Sequence, residues 1–146
     1  MALLGIDPLL TGELLGQLDA MGHSDAIVVA DAHFPAQRLG RPVVELPGLA
    51  APRVAKAIRS VILLDGEGST QLMETADGNL SEVQYELIRA VGIDDPSVVQ
   101  LVERFAFYRE AAQAAVVVRT GESRPYGNLI LHKGTFPLAT AGGEVR

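Results

Sequence analysis

The chain has 146 residues, with 12 Lys and Arg against 18 Asp and Glu, a formal net charge of -6, and neither Cys nor Trp. That length fits one domain with one core, and net negative charge without a basic block argues against nucleic-acid binding, which needs clustered Lys and Arg. Zero Cys excludes disulfides, thiolate chemistry, iron–sulfur clusters and Cys-ligated zinc. The longest apolar runs, Ala26–Ala30, Val61–Leu64 and Ala114–Val118, fall far short of the ~20 residues of a membrane-spanning helix. Met1–Pro8 lacks the positive start of a signal peptide, so the expectation is a soluble, cytoplasmic protein without a membrane partner. Hydrophobic residues make up 48% of the sequence, which is generous for one small chain and points to subunit interfaces.

In chain order, Thr11 is a plausible N-cap for a helix running to about Met21, with Leu14, Leu15 and Leu18 at helical spacing and Gly22 as the C′ residue. Ala26–Ala30 is wholly apolar and rich in β-branched residues, as in a strand buried on both faces. Val43–Leu46 is a second short strand, broken by Pro47 and Gly48. Ala51–Arg59 reads as a helix with Val54, Ala55 and Ile58 on one side and Arg53, Lys56 and Arg59 on the other. Ser60–Asp65 reads as another buried strand, closed by a turn over Gly66–Gly68. Ser81-Glu-Val-Gln84 is a capping box that opens a helix to about Val91. Ser97–Val102 fits a short helix or a strand equally well. Arg104–Gln113 is helical, Ala114–Arg119 a strand, and Asn128–Leu131 a last strand. The tail from Thr135 has little pattern and is expected to fray. Alternating short buried strands and helices predict an α/β domain with its sheet covered on both faces.

Three segments put polar groups at strand ends, where α/β proteins build sites: Met21–Asp25, Asp31–Pro35 and Tyr126–Asn128. His23 precedes a buried strand, either tying down a loop or transferring protons near neutral pH. Asp31 follows that strand directly, as an Asx-turn residue or as a site carboxylate. Arg104 and Tyr108 lie one helical turn apart; Phe105, Phe107 and Tyr108 suit core or interface packing, while the fork of Arg104 suits sugar hydroxyls. Tyr126 and Asn128 are either turn residues or donors to a ligand. The His-x-Asp and Asp-x-His spacings among His23, Asp25, Asp31 and His33 are too short and common to define a metal site. Gly66–Thr70 lacks the Lys of a P-loop and the third Gly of a dinucleotide fingerprint. No nucleophile elbow surrounds Ser24. Donors and acceptors without a metal, cofactor or nucleophile fit binding or proton transfer on a small polar molecule.

Met21-Gly-His23-Ser-Asp25, Asp31-Ala-His-Phe-Pro35, Arg104-Phe-Ala-Phe-Tyr108 and the stretch from Thr120 through Tyr126-Gly127-Asn128 to Gly134 resemble, in order, the ribose pyranase and fucose mutarotase family. The resemblance is close over residues 3–36 and 103–137 and loose over 47–102. It implies a three-layer α/β/α sandwich with a largely parallel or mixed sheet, ring-shaped homo-oligomers such as a decamer, and cofactor-independent interconversion of free monosaccharides. By position, His23 matches the family's proton donor, and Asp31, Arg104 and Tyr126-Gly127-Asn128 match its sugar-binding residues, with Tyr126 a second candidate for proton transfer. Arg104 and Gly127 resemble the fucose branch, so L-fucose is the expected sugar. D-ribose pyranase activity and a non-catalytic sugar-binding module are the alternatives. Because His23 and Asp31 flank one strand, a common sugar requires either loops that fold back or two subunits that share the site.

Overall fold

The computed structural model describes residues 3–66 and 68–136. In chain order it contains α1 (Gly12–Ala20), β1 (Ala26–Ala30), β2 (Val43–Leu46), α2 (Ala51–Arg59), β3 (Gln71–Met73), α3 (Glu82–Ala90), β4 (Gln100–Val102), α4 (Arg104–Ala111), β5 (Val116–Thr120) and β6 (Leu129–His132). The strands form one sheet in the order β2-β5-β1-β6-β3-β4. β1 is parallel to β5, β5 to β2 and β3 to β4, whereas β6 is antiparallel to both of its neighbours, β1 and β3. Five strands therefore run one way and β6 alone runs against them, which makes the sheet mixed.

Side-chain alternation along the central strands builds the three layers. Ile27, Val29, Val116, Val118, Leu129 and Leu131 point to one face, where Leu14 and Leu18 of α1, Val54 and Ile58 of α2, and Leu87 and Ile88 of α3 cover them. Val28, Ala30, Val117 and Ile130 point to the other face, beneath Phe107 and Ala111 of α4 and the loop residue Phe34. Every residue of β1 is buried, which is why its sequence is a continuous apolar run. Each fully buried Val, Leu or Ile adds roughly 1.5–3 kcal/mol of burial free energy.

Local signals set several boundaries. Thr11 Oγ1 accepts from the Leu14 N–H at 3.3 Å and caps α1. Gln84 Oε1 accepts from the Ser81 N–H at 3.0 Å, one arm of the expected capping box. The C-terminus of α1 differs from expectation. Gly22 is not left-handed; instead the Lys133 ammonium donates to the Leu18 and Met21 carbonyls at 2.7 and 2.8 Å. Cationic donors suit the negative end of a helix dipole.

The strand expected over Ser60–Asp65 does not form. α2 runs into this segment, with the Ser60 N–H bonded to Lys56 O, and Leu64 makes only an isolated antiparallel bridge to Lys133. The flank of β6 that Leu64 touches is taken up along Leu129 and Ile130 by β3. Ile62 is therefore buried in the core without a ladder, with Val61 and Leu64 packed against it. β3, which no run of apolar residues announces, holds that flank instead. The ambiguous stretch at Ser97 resolves into both forms, a 3-10 turn at Pro96–Val98 followed by β4. The tail expectation falls largely on residues 137–146, outside the described residues.

Gly121 marks the tightest backbone approach. A Cβ there would lie 1.9 Å from the Pro47 carbonyl oxygen, and the Gly121 N–H donates to Leu49 O at 2.8 Å. Gly121→Ala is expected to destabilise the protein by about 1–3 kcal/mol through overpacking. Gly16→Ala, on the exposed side of α1 with open space around the added Cβ, is expected to stabilise it by up to ~1 kcal/mol. Denaturant midpoints of the two variants measure both effects, and a Gly121→Ala midpoint at or above wild type would contradict the packing argument.

Candidate active site

The carboxyl ends of the parallel strands converge with the start of β6, the position where α/β sheets hold ligands. Asp31 follows β1 there, and Asn128 immediately precedes β6. Both side chains are 4% exposed. The Asp31 N–H donates to Asn128 Oδ1 at 2.8 Å, and Asn128 Nδ2 donates to Asp31 Oδ2 at 3.0 Å. The His33 N–H donates to Asp31 Oδ1 at 3.0 Å. Asp31 is thus the Asx-turn residue, and its side chain also lines a cavity. Burial pushes its carboxyl above the usual value of 3.8, against the hydrogen bonds from the His33 N–H and the Asn128 amide, which pull it down.

This pair forms one wall of a cavity of about 270 Å³, which Arg104, Tyr108, Tyr126, His33 and Phe34 also line. Arg104 opens α4 directly after β4. Its Nε donates to the Tyr108 hydroxyl at 3.2 Å, and its guanidinium lies 5.8 Å from the Tyr108 ring centre. Tyr108 in turn meets Phe34 edge-on, with ring centres 5.5 Å apart. Aromatic rings therefore hold the exposed Arg104 head, leaving donors for a ligand. Phe107 is buried as expected, but Phe105 is 62% exposed and belongs to no core of this chain.

Tyr126 is held at φ 63°, a conformation that costs a non-glycine residue of order 1 kcal/mol or more. Gly127 beside it is buried, and a Cβ there would lie 2.8 Å from Glu122 Cγ. Glu122 is fixed in turn. Its carboxylate accepts from Arg124 Nε at 3.0 Å and from the Ala51 N–H at the start of α2 at 3.3 Å. Its backbone oxygen accepts from the Ala32 N–H at 2.9 Å. Arg124 also pairs with Glu86. The sequence singles out Glu122 and Arg124 only by their place in the Thr120–Asn128 stretch.

His23 is placed elsewhere. It precedes β1, at the opposite end of the sheet from Asp31, and its side chain is 61% exposed. It lines a separate, mainly apolar cavity of about 630 Å³ with Leu18, Met21, Val61, Ile62 and Lys133. Among the described residues, none lines both cavities. β1 alone keeps its ends roughly 13 Å apart at ~3.3 Å per residue, and the flanking loops do not fold back. One chain therefore brings Asp31, Arg104, Tyr126 and Asn128 to one cavity, packs Gly127 against Glu122 outside its lining, and leaves His23 apart. Asp25 holds its own loop, accepting from the Gly22 N–H at 2.8 Å. His23 and His33 lie in different cavities, and among the described residues no three His, Asp or Glu side chains group as metal ligands.

A single mixed six-stranded sheet flanked by helices defines an α/β protein, here with a cavity walled in part by Asp31 and Asn128. The chain belongs to the RbsD / FucU transport protein family, whose model matches residues 4–136. It is 40% identical over 142 residues to an L-fucose mutarotase of Glaesserella parasuis, a match covering 93% of this chain and 97% of the relative. The crystal structure of FucU from Bifidobacterium longum superposes with a TM-score of 0.83 at 34% identity, covering 91% of this chain and 99% of that one. The fucose mutarotase of Streptococcus pneumoniae, solved in complex with L-fucose, gives a TM-score of 0.83 at 29% identity, covering 92% and 100%.

Two outcomes follow from the Asp31–Asn128 pair. Because the folded value of Asp31 is raised, its contribution to stability is fully present below pH 3.8 and is lost as the pH rises through the folded value. A carboxyl-carbon NMR titration of Asp31 should therefore give a midpoint above 3.8; a midpoint at or below it would contradict the burial argument. Asn128→Ala removes one partner each from the Asp31 N–H and carboxylate and is expected to cost about 1–3 kcal/mol, measured by denaturant unfolding.

Proposed function

We propose that this chain is a cytoplasmic, cofactor-independent isomerase that interconverts the anomers of free L-fucose. The observation that carries the reading is the buried, reciprocally bonded Asp31–Asn128 pair facing Arg104 and Tyr126 across a cavity of about 270 Å³. That volume lies just below the ~300–1,000 Å³ of sites for drug-sized ligands and suits one sugar ring. Asp31 accepts from sugar hydroxyls, Arg104 and Asn128 donate to them, and Tyr126 offers a hydroxyl or an aromatic face. The likeness to L-fucose mutarotases supports fucose as the substrate.

The chemistry needs no redox step and no leaving group. The anomeric hydroxyl loses a proton while the ring oxygen gains one, and the hemiacetal opens to the aldehyde. Rotation about the C1–C2 bond presents the other face, and the two proton transfers run in reverse. One positioned acid–base group typically contributes about 10²–10⁴-fold. His23 takes that role. Since its own Asp31 pocket lies at the far end of β1, the His23 that serves a pocket comes from a neighbouring subunit. Homo-oligomerisation is then required for activity. The exposed Phe105, next to Arg104, and Leu3, Leu4 and Phe136 are available for such contacts.

Saturation-transfer NMR on free sugars, following exchange between anomeric proton signals, tests the reading. Wild-type protein should accelerate exchange of L-fucose more than that of D-ribose. His23→Ala should lower the rate at least about tenfold while retaining fucose binding and an unchanged unfolding midpoint. Binding without any acceleration by wild type would leave a sugar-binding module. Faster pyranose–furanose exchange of D-ribose would make the protein a ribose pyranase.

A further inference from the structure

The side chain that ends β6 closes a polar row across three strands. Alternation along β6 puts Leu129 and Leu131 on one face and Ile130 and His132 on the other. β3 sets Gln71 opposite Ile130, and β4 sets Gln100 opposite Gln71, so His132, Gln71 and Gln100 share a face. They touch in that order. His132 Nε2 lies 3.2 Å from Gln71 Oε1, and Gln71 Nε2 donates to Gln100 Oε1 at 2.9 Å. Gln71 is 6% exposed, and a buried amide needs partners for its polar atoms; one of those partners is the His132 ring. Gln100 is exposed and ends the row at solvent.

The other ring nitrogen reaches the loop before β1, where His132 Nδ1 lies 3.0 Å from the Ser24 carbonyl oxygen. Ser24 takes φ 69°, a strained setting for a non-glycine residue that persists only where the surroundings over-determine it. Here every polar group of Ser24 is engaged. Its N–H donates to Lys133 O at 2.8 Å, its hydroxyl donates to Asp65 Oδ2 at 2.8 Å, and its carbonyl takes the His132 bond. Holding both the N–H and the carbonyl of Ser24 fixes its φ and ψ, and with them the direction in which the preceding residue, His23, leaves the turn.

We propose that His132 is a positioning residue for His23: its Nδ1–H holds the Ser24 carbonyl, and the Gln71–Gln100 row holds the ring that does so. A carbonyl oxygen only accepts hydrogen bonds, so Nδ1 carries hydrogen whether the ring is neutral or charged. Nε2 faces an amide that serves either state. As the amides stand, Gln71 Oε1 accepts from an Nε2–H. With both amides turned over, Gln71 Nε2 donates to a bare Nε2, and Gln100 Nε2 donates to Gln71 Oε1. The bond to Ser24 is the same in both arrangements, so the turn that carries His23 keeps its geometry while the His132 ring gains or loses a proton. A proton-exchanging group depends on that constancy, because a displacement of about 1 Å can cost roughly 10²-fold in rate.

This inference rests on the reading of His23 as the proton-exchanging group, and two readouts keep the two apart. The first is the ¹⁵N spectrum of the His132 ring in wild-type protein without sugar, at a pH where the ring is neutral. Hydrogen on Nδ1 is expected, and a dominant Nε2–H form overturns the role of His132 whatever the activity. The second compares two amide replacements. The side-chain nitrogen of Asn can sit where Nδ1 sits and donate to Ser24 O, whereas that of Gln extends toward the Nε2 position and Gln71. His132→Asn should keep kcat for L-fucose exchange within about threefold of wild type. His132→Gln should lower kcat roughly 10–100-fold. Its KM should stay within about threefold, because His132 does not line the cavity of Asp31. A wild-type kcat in His132→Gln, or a His132→Asn protein as slow as His132→Gln, overturns the inference. Full activity of His23→Ala would instead overturn the role of His23 itself.

Discussion

The antiparallel pairing of β6 with β1 is the constraint on which both groups of candidate residues depend. Its register sets Val29 opposite Leu129 and Ala26 opposite His132. At one end this brings Asn128 against Asp31, and at the other it brings His132 and Lys133 against Ser24. A shift by one residue would turn every β6 side chain to the opposite face and undo the Asp31–Asn128 bonds and the cap of α1 by Lys133 together. Burial on both faces specifies the register strongly, because Leu129, Ile130 and Leu131 all sit in the core. The hydrophobic effect thus fixes the strand pair, and the strand pair fixes polar groups at its two ends.

Those two ends are built alike. Each carries a left-handed, non-glycine residue, Ser24 beside the candidate His23 at one end and the candidate Tyr126 itself at the other. One is clamped by a carboxylate from a distant segment, Asp65, and the other by a carboxylate of its own loop, Glu122. Glu122 shows why such a clamp must be complete. It is nearly excluded from water and tolerated because Arg124, its own backbone contacts and the N-terminus of α2 surround it; a buried charge left without partners is costly. The polar loops are thus held by several hydrogen bonds each, although the side chains of His23 and Arg104 are open to solvent in the single chain.

How much of this the sequence reveals depends on whether the signal is local. β1, β5 and β6 are legible because strands buried on both faces must be apolar throughout, and α2 because its charged and apolar residues separate cleanly. Thr11 and Ser81 are legible as caps because their partners are three residues away. Residues 60–65 have the composition of a strand but lack a free flank to pair with, a fact known only once β3 and β6 are placed. Gly22 invites reading as a left-handed helix stop, yet Ser24 takes the left-handed turn and Lys133 supplies the cap from the other end of the chain. The candidate residues His23, Asp31, Arg104, Tyr126, Gly127 and Asn128 stand out by type and by family resemblance. The contacts of Asp65 and His132 with Ser24 do not, because those partners are 41 and 108 residues away and no local motif links them.

Subunit complementation tests the divided site most directly. His23→Ala and Asp31→Ala proteins, each inactive alone, are mixed under conditions that allow subunit exchange, and anomer exchange of L-fucose is followed by saturation-transfer NMR. A site shared between subunits regains part of the wild-type rate, because some interfaces join an intact His23 to an intact Asp31 pocket. No recovery, with exchange of subunits verified by mass, would mean that each chain builds its site alone.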